Sequence, residues 1–148
     1  MQVKVGKELF ARGGPFLVSR LQEIDFDVFL DLKFHDIPNT VAGAVKAAVD
    51  LGVWMCNVHT ANNAMLEAAV EARGESSMLL VAVTVLTTIT NEDLWVDGYA
   101  KEMTTEKLVV IRACRAYDCG LNGVVCSPKE LLTLRSELPP EFLYVTPG

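Results

Sequence analysis

The 148-residue chain is 51% apolar and carries 13 basic against 19 acidic residues, a net charge of −6. That length suits one domain with a real core, and that balance argues against a nucleic-acid footprint or a polybasic membrane anchor while leaving room for an anionic ligand held by local lysines. No apolar run reaches the roughly twenty residues that span a bilayer, the opening Met-Gln-Val-Lys-Val-Gly-Lys lacks the apolar centre of a signal peptide, and Cys56, Cys114, Cys119 and Cys126 with two histidines show no zinc-ligand spacing. Reduced thiols in a cytoplasmic protein are the expectation.

Taken in order, Val3 to Gly6 reads as a short strand with Lys4 between two valines, a charged residue inside an apolar strand whose pattern alone also suits an exposed edge position. Lys7 to Ile24 is helical, and Gly13-Gly14-Pro15 must break it, because two glycines and a proline cannot continue a helix. After a strand at Val28 to Phe34, Val41, Ala44, Val45 and Ala48 recur at helical spacing, and Gly52 is a natural stop. Val53 to His59 is a strand whose Asn57 and His59 share a face; a lone histidine there is more commonly a hydrogen-bonded core or rim residue than a catalyst. Ala61 to Arg73 is a second alanine-rich helix, closed by Gly74.

Leu79 to Leu86 is a continuous apolar run with one threonine, the pattern of a strand buried on both faces, and Thr87 follows at its end. Thr90 to Thr104 reads as a polar insertion short of core residues, after which Thr105 is placed as the cap of a helix bearing Val109, Ala113 and Ala116 and ending at Gly120. Gly123 to Cys126 is a strand, Ser127-Pro128-Lys129-Glu130 a helix start with a capping box, Pro139-Pro140 a stop, and Phe142 to Thr146 the last strand. Alternating strands and helices predict a parallel sheet, and charges gathered at strand ends favour a barrel over an open sheet. The count is six strands, whereas a closed (β/α)8 barrel has eight in about 250 residues.

The chemistry concentrates in Asp31-Leu32-Lys33-Phe34-His35-Asp36-Ile37-Pro38-Asn39-Thr40. In a strand, residues two apart share a face, so Val28, Leu30, Leu32 and Phe34 line one side and Phe29, Asp31 and Lys33 the other. A solvated acid–base pair on a wet face would give the same alternation. Burying the pair costs several kcal/mol per ion, so a purely structural use is poor value for stability. Asp36 adds a third charge where the strand ends and a helix begins, the place where α/β proteins put their chemistry.

Asp31-x-Lys33-x-x-Asp36 followed by Ile37-Pro38-Asn39-Thr40 resembles the signature of the orotidine 5'-phosphate decarboxylases in their bacterial form. Val3-Lys4-Val5-Gly6-Lys7-Glu8, Leu51-Gly52-Val53-Trp54-Met55, Asn57-Val58-His59, Val83-Thr84-Val85-Leu86-Thr87, Gly123-Val124-Val125-Cys126-Ser127 and Val145-Thr146-Pro147-Gly148 extend the resemblance along the whole chain in family order. It implies an α/β fold of (β/α)8 TIM-barrel type, with residues 1–148 forming a single partial barrel domain of about six of the eight βα units. It also implies a cofactor-independent, metal-free carboxy-lyase of pyrimidine synthesis, turning the nucleotide orotidine 5'-monophosphate into uridine 5'-monophosphate in the cytoplasm. By the same resemblance Lys33 is the proton donor and Lys4, Asp31 and Asp36 complete an alternating charge network. Lys4, Asp31, Asp36, Ile37, Thr40 and Thr87 bind substrate, with Asp36, Ile37 and Thr40 reaching into the partner's site in a homodimer.

The residue types suit that chemistry. Decarboxylation leaves a carbanion, so a fixed ammonium beside that carbon acts most strongly in the transition state. An aspartate facing the substrate carboxylate repels it by about 4 kcal/mol at ~4 Å and an effective dielectric of ~20. Against the family, the chain matches the second through seventh strands. The first strand with its ribose-contacting aspartate, and the arginine and phosphate-gripping loop of the last part, have no counterpart, which leads us to expect severely impaired activity of these residues alone. Thr60-Ala61-Asn62-Asn63 also departs from the small residue and Ser-Gly-Gly that commonly follow the family's histidine. Two further readings stay open: a magnesium-dependent phosphosugar decarboxylase or aldolase sharing Asp-x-Lys-x-x-Asp, and a non-catalytic fragment that only packs or dimerises.

Overall fold

The computed structural model describes residues 1–147. Six strands, β1 (Gln2–Gly6), β2 (Asp27–Phe34), β3 (Met55–His59), β4 (Leu79–Val83), β5 (Gly123–Val125) and β6 (Leu143–Val145), form one sheet in chain order. Every neighbouring pair is parallel. Between them run α1 (Lys7–Gln22), α2 (Pro38–Asp50), α3 (Asn63–Arg73), α4 (Asn91–Val96), α5 (Thr105–Asp118) and α6 (Leu131–Glu137). The sheet curls: Lys4 of β1 and Val145 of β6, its first and last strands, line one and the same cleft. The expected six-unit portion of a (β/α)8 barrel is therefore what these residues build.

Two apolar layers follow from strand alternation. Val28, Leu30, Cys56, Val58, Leu80, Ala82 and Val124 point outward and pack under Val45, Leu66, Val109 and Leu134 of the surrounding helices. Phe29, Met55 and Val81 point inward, joined by Trp54, Leu79, Val125 and Val145, and close the interior of the curl. The separation of Leu30, Leu32 and Phe34 from Phe29, Asp31 and Lys33 holds, since the first three line a groove with α2 and the second three the cleft.

Several boundaries differ from the sequence reading. The break expected at Gly13-Gly14-Pro15 is not one of them: Lys7–Gln22 is two helices meeting at a kink, where Gly14 leaves the helical region with φ 55° and ψ −155°, a left-handed φ that residues with a Cβ rarely adopt. Thr90 to Thr104 is not without core: it folds α4, capped by a reciprocal Thr90–Asp93 box, and buries Leu94. One buried residue per short helix is too sparse a pattern to show as periodicity. The cap of α5 is Thr104, whose hydroxyl accepts from the Lys107 N–H; Thr105 is the first helical residue. The Ser127–Glu130 capping box forms as expected, but on a single 3₁₀ turn, Pro128–Glu130, that precedes α6.

Candidate active site

The site grows out of a fault in the β2–β3 ladder. Leu30 pairs with Cys56 and Phe34 with Val58, so β2 spends four residue steps where β3 spends two. The extra length is a bulge, a device that re-aims side chains and frees backbone groups. It is taken up at Lys33, which adopts φ 54° although it has a Cβ. That conformation costs about 1–2 kcal/mol in an L-residue. The Lys33 N–H leaves the ladder and donates instead to Asn57 Oδ1 at 2.7 Å.

The turn at Lys33 brings its ammonium back over Asp31. Lys33 Nζ donates to Asp31 Oδ1 at 2.5 Å, Asn57 Nδ2 donates to the same oxygen at 2.7 Å, and Lys4 Nζ lies 3.0 Å from Asp31 Oδ2. Asp31 is 8% exposed, while the side chains of Lys33 and Lys4 keep 26% and 57% of their surface open to the cleft and its mouth. Burial alone raises the Asp31 carboxyl, but the hydrogen bonds from Lys33, Asn57 and Lys4 outweigh it and hold the group below its ordinary value. Two ammonium groups around one carboxylate leave the cluster with a surplus positive charge, which suits an anionic ligand.

The cleft has a volume of about 400 Å³. Phe29, Val83, Val125 and Val145 give it apolar walls, and Lys4, Asp31, Lys33, Thr87, Cys126 and Thr146 supply its polar atoms. Thr87 reaches it from the turn after β4, and Arg112 of α5 anchors the start of that turn by donating to the Thr84 carbonyl at 2.6 Å. Burial, with a further push from Glu130, raises the Cys126 thiol to about 11, so it offers no thiolate at neutral pH. Among the described residues no group of three or more histidine, cysteine, aspartate or glutamate side chains is placed to hold a metal ion.

Of the residues singled out in the sequence, Lys4, Asp31, Lys33 and Thr87 come together in this cleft. Asp36, Ile37 and Thr40 do not: they stand exposed at the start of α2, where Asp36 Oδ1 accepts from the Ile37 N–H at 2.7 Å. His59 ends β3 outside the cleft lining, its ring 5.2 Å from that of His35, and burial together with the His35 charge lowers it to about 4. In Thr60–Asn63, Thr60 Oγ1 donates to the Val83 carbonyl at 2.7 Å and Asn62 caps α3 by accepting from the Met65 N–H at 2.9 Å. Asparagine is suited to that cap, so no glycine is needed there. Asn57 is the residue whose part sequence reasoning missed. Its signal was a polar side chain on the Met55 face of an apolar strand, but its meeting with Lys33 depends on a bulge that alternation does not show.

A model of the family described as "Orotidine 5'-phosphate decarboxylase / HUMPS family" matches residues 1–148. Among curated proteins, the chain is 52% identical over 148 residues to an orotidine 5'-phosphate decarboxylase of Nitrosomonas europaea, covering 99% of this chain and 63% of that protein. It is 50% identical over 151 residues to the one from Shewanella sediminis, covering 99% and 64%. The chain thus spans somewhat less than two thirds of these relatives' length. Among solved structures, an orotidine 5'-phosphate decarboxylase from Lactobacillus acidophilus superposes with a TM-score of 0.90 at 37% identity, covering 99% of this chain and 68% of that one. An uncharacterized conserved protein from Geobacillus kaustophilus gives 0.91 at 38%, covering 97% and 70%.

Proposed function

Because the chain belongs to the orotidine 5'-phosphate decarboxylase / HUMPS family, we propose that its cleft is the decarboxylating site for orotidine 5'-monophosphate. The observation that carries this reading is the Lys4–Asp31–Lys33 cluster, 3.0 and 2.5 Å between charged atoms, in a cleft walled by Phe29, Val83, Val125 and Val145. The substrate's ring lies against the Val83, Val125 and Val145 walls with Thr87 at its polar edge. Its carboxylate faces Asp31, whose position is fixed by three donors and cannot turn away. The ring carbon–carboxylate bond breaks, carbon dioxide leaves, and the electron pair stays on the ring carbon. Lys33 Nζ, next to that carbon, gives it a proton and regains one from water. Transition-state charge grows beside a fixed ammonium in a half-dry site, where such an interaction is strongest.

The reading includes a homodimer and a cytoplasmic location. Asp36, Ile37 and Thr40 are exposed on one turn, Ile37 by 66%, and are free to enter a second copy's cleft. No helix among the described residues is long and apolar enough to cross a membrane.

Loss of orotidine 5'-monophosphate absorbance tests the proposal, with Lys33→Ala as the blank. The unmodified chain is expected to exceed the blank by about 10²–10⁴-fold, the usual worth of a positioned proton donor, with no response to chelator. Equal rates in both chains would overturn it, and a rate abolished by chelator would favour a magnesium-dependent relative.

A further inference from the structure

We propose that Asn57 is a positioning residue for the cluster, one side-chain amide fixing both the left-handed backbone of Lys33 and the orientation of the Asp31 carboxylate. The inference rests on the reading of Lys33 and Asp31 as the reacting pair, and it adds a residue to which that reading gives no part.

Asn57 is fully buried, 0% exposed, on β3 opposite Val81. Its side chain faces a stretch of β2 that has lost both backbone partners: β1–β2 pairing ends at Gly6–Asp31, and β2–β3 register is broken between Leu30 and Phe34. The Lys33 N–H would be orphaned there, and a buried unpaired N–H is strongly disfavoured. Asn57 Oδ1 accepts it at 2.7 Å, which holds the residue in its φ 54° turn. The other half of the same planar amide points at Asp31, donating to Oδ1 at 2.7 Å.

Only a side chain with an acceptor and a donor in one plane does both. A leucine would satisfy neither partner, and an aspartate would keep the acceptor for Lys33 while setting a carboxylate against Asp31. The charged groups facing Asp31 are Lys4 from β1 and Lys33 from its own strand; Asn57 is the neutral member contributed by β3. Remove it and the two lysines still pull on the carboxylate, but nothing couples its angle to the Lys33 backbone. The ammonium is then misplaced relative to the substrate carbon, and a misplacement of about 1 Å costs about 100-fold in rate.

The test uses the 148-residue chain and two variants, followed by NMR of the Asp31 carboxyl and the Lys33 amide. In Asn57→Asp, the Lys33 amide is expected to keep its protection from hydrogen exchange while the Asp31 midpoint rises by about one pH unit or more. In Asn57→Ala both change, with amide protection falling about 10-fold and kcat for orotidine 5'-monophosphate falling about 100-fold at near-constant KM. An Asp31 midpoint unmoved in Asn57→Asp overturns the proposal, whether or not Asn57→Ala folds. So does unchanged Lys33 exchange in a folded Asn57→Ala. Should the unmodified chain fail to decarboxylate, the functional reading falls, while the carboxyl and amide measurements still decide the role of Asn57.

Discussion

Asp31, proposed as half of the reacting pair, also bears on stability with the same atoms. Its carboxyl is held below its ordinary value by Lys33, Asn57 and Lys4 against the opposing effect of burial. A depressed folded value means the unfolded chain takes up the proton first, so this contribution is complete above the ordinary carboxylate range and is lost as pH falls through the folded value. His59 acts in the same direction at higher pH. Its value falls from 6.5 to about 4 on folding through burial and the His35 charge, so the unfolded state binds the extra proton between those limits and stability declines as pH drops across them. With its ring only partly buried, about 1–2 kcal/mol is the expected loss. Urea unfolding at pH 7 and pH 4.5 should reveal it, and His59→Gln should flatten the slope.

The acid–base face of β2 was legible because strand alternation fixes which side chains share a side, and Phe29, Asp31 and Lys33 do line the cleft together. What alternation could not supply is the Lys33 turn. It arises from a two-step excess of β2 over β3, a relation between two strands rather than a property of either. Asp36 lies on the far side of that turn, exposed, and does not meet Lys33 within this chain.

At the scale of elements, helix ends and strand contacts decide which loops hold the cleft. α4 depends on the Thr90–Asp93 box, with the hydroxyl and backbone of Thr90 both bonded to Asp93 Oδ2 at 2.8 Å. Thr90→Ala is expected to lower stability by about 1 kcal/mol, read from denaturant midpoints, with helix loss confined to that segment. β5 and β6 meet at Gly123, where an added Cβ would collide with the Leu143 backbone of β6. Gly123→Ala should therefore cost about 1–3 kcal/mol and unprotect the β6 amides in hydrogen exchange before those of β4. The sequence marked Gly123 only as the start of a strand. Its close approach to β6 involves a residue twenty positions away.

Across the whole molecule, stability rests on the middle of the sheet, while the proposed reacting cluster sits on its inner face. Leu80 of β4 is fully buried between strands and helices, whereas Leu143 of β6 is 37% exposed. Leu80→Ala should cost about 2–5 kcal/mol and Leu143→Ala about 1 kcal/mol or less, a contrast that thermal unfolding can resolve. The strand order and parallel pairing followed from the alternating pattern, because a parallel sheet requires a crossover between successive strands. The curl was expected from charges collected at strand ends, and Lys4, Asp31 and Lys33 meet because the neighbouring strands β1 and β2 turn them to the same cleft.

The most direct test of the central claim, that Lys33 and Asp31 form the reacting pair, is release of labelled carbon dioxide from carboxyl-carbon-13 orotidine 5'-monophosphate. Release by the unmodified chain should fall to the uncatalysed rate in Lys33→Ala and drop by at least about 100-fold in Asp31→Asn, with both variants folded. Equal release from the unmodified chain and a folded Lys33→Ala would contradict it.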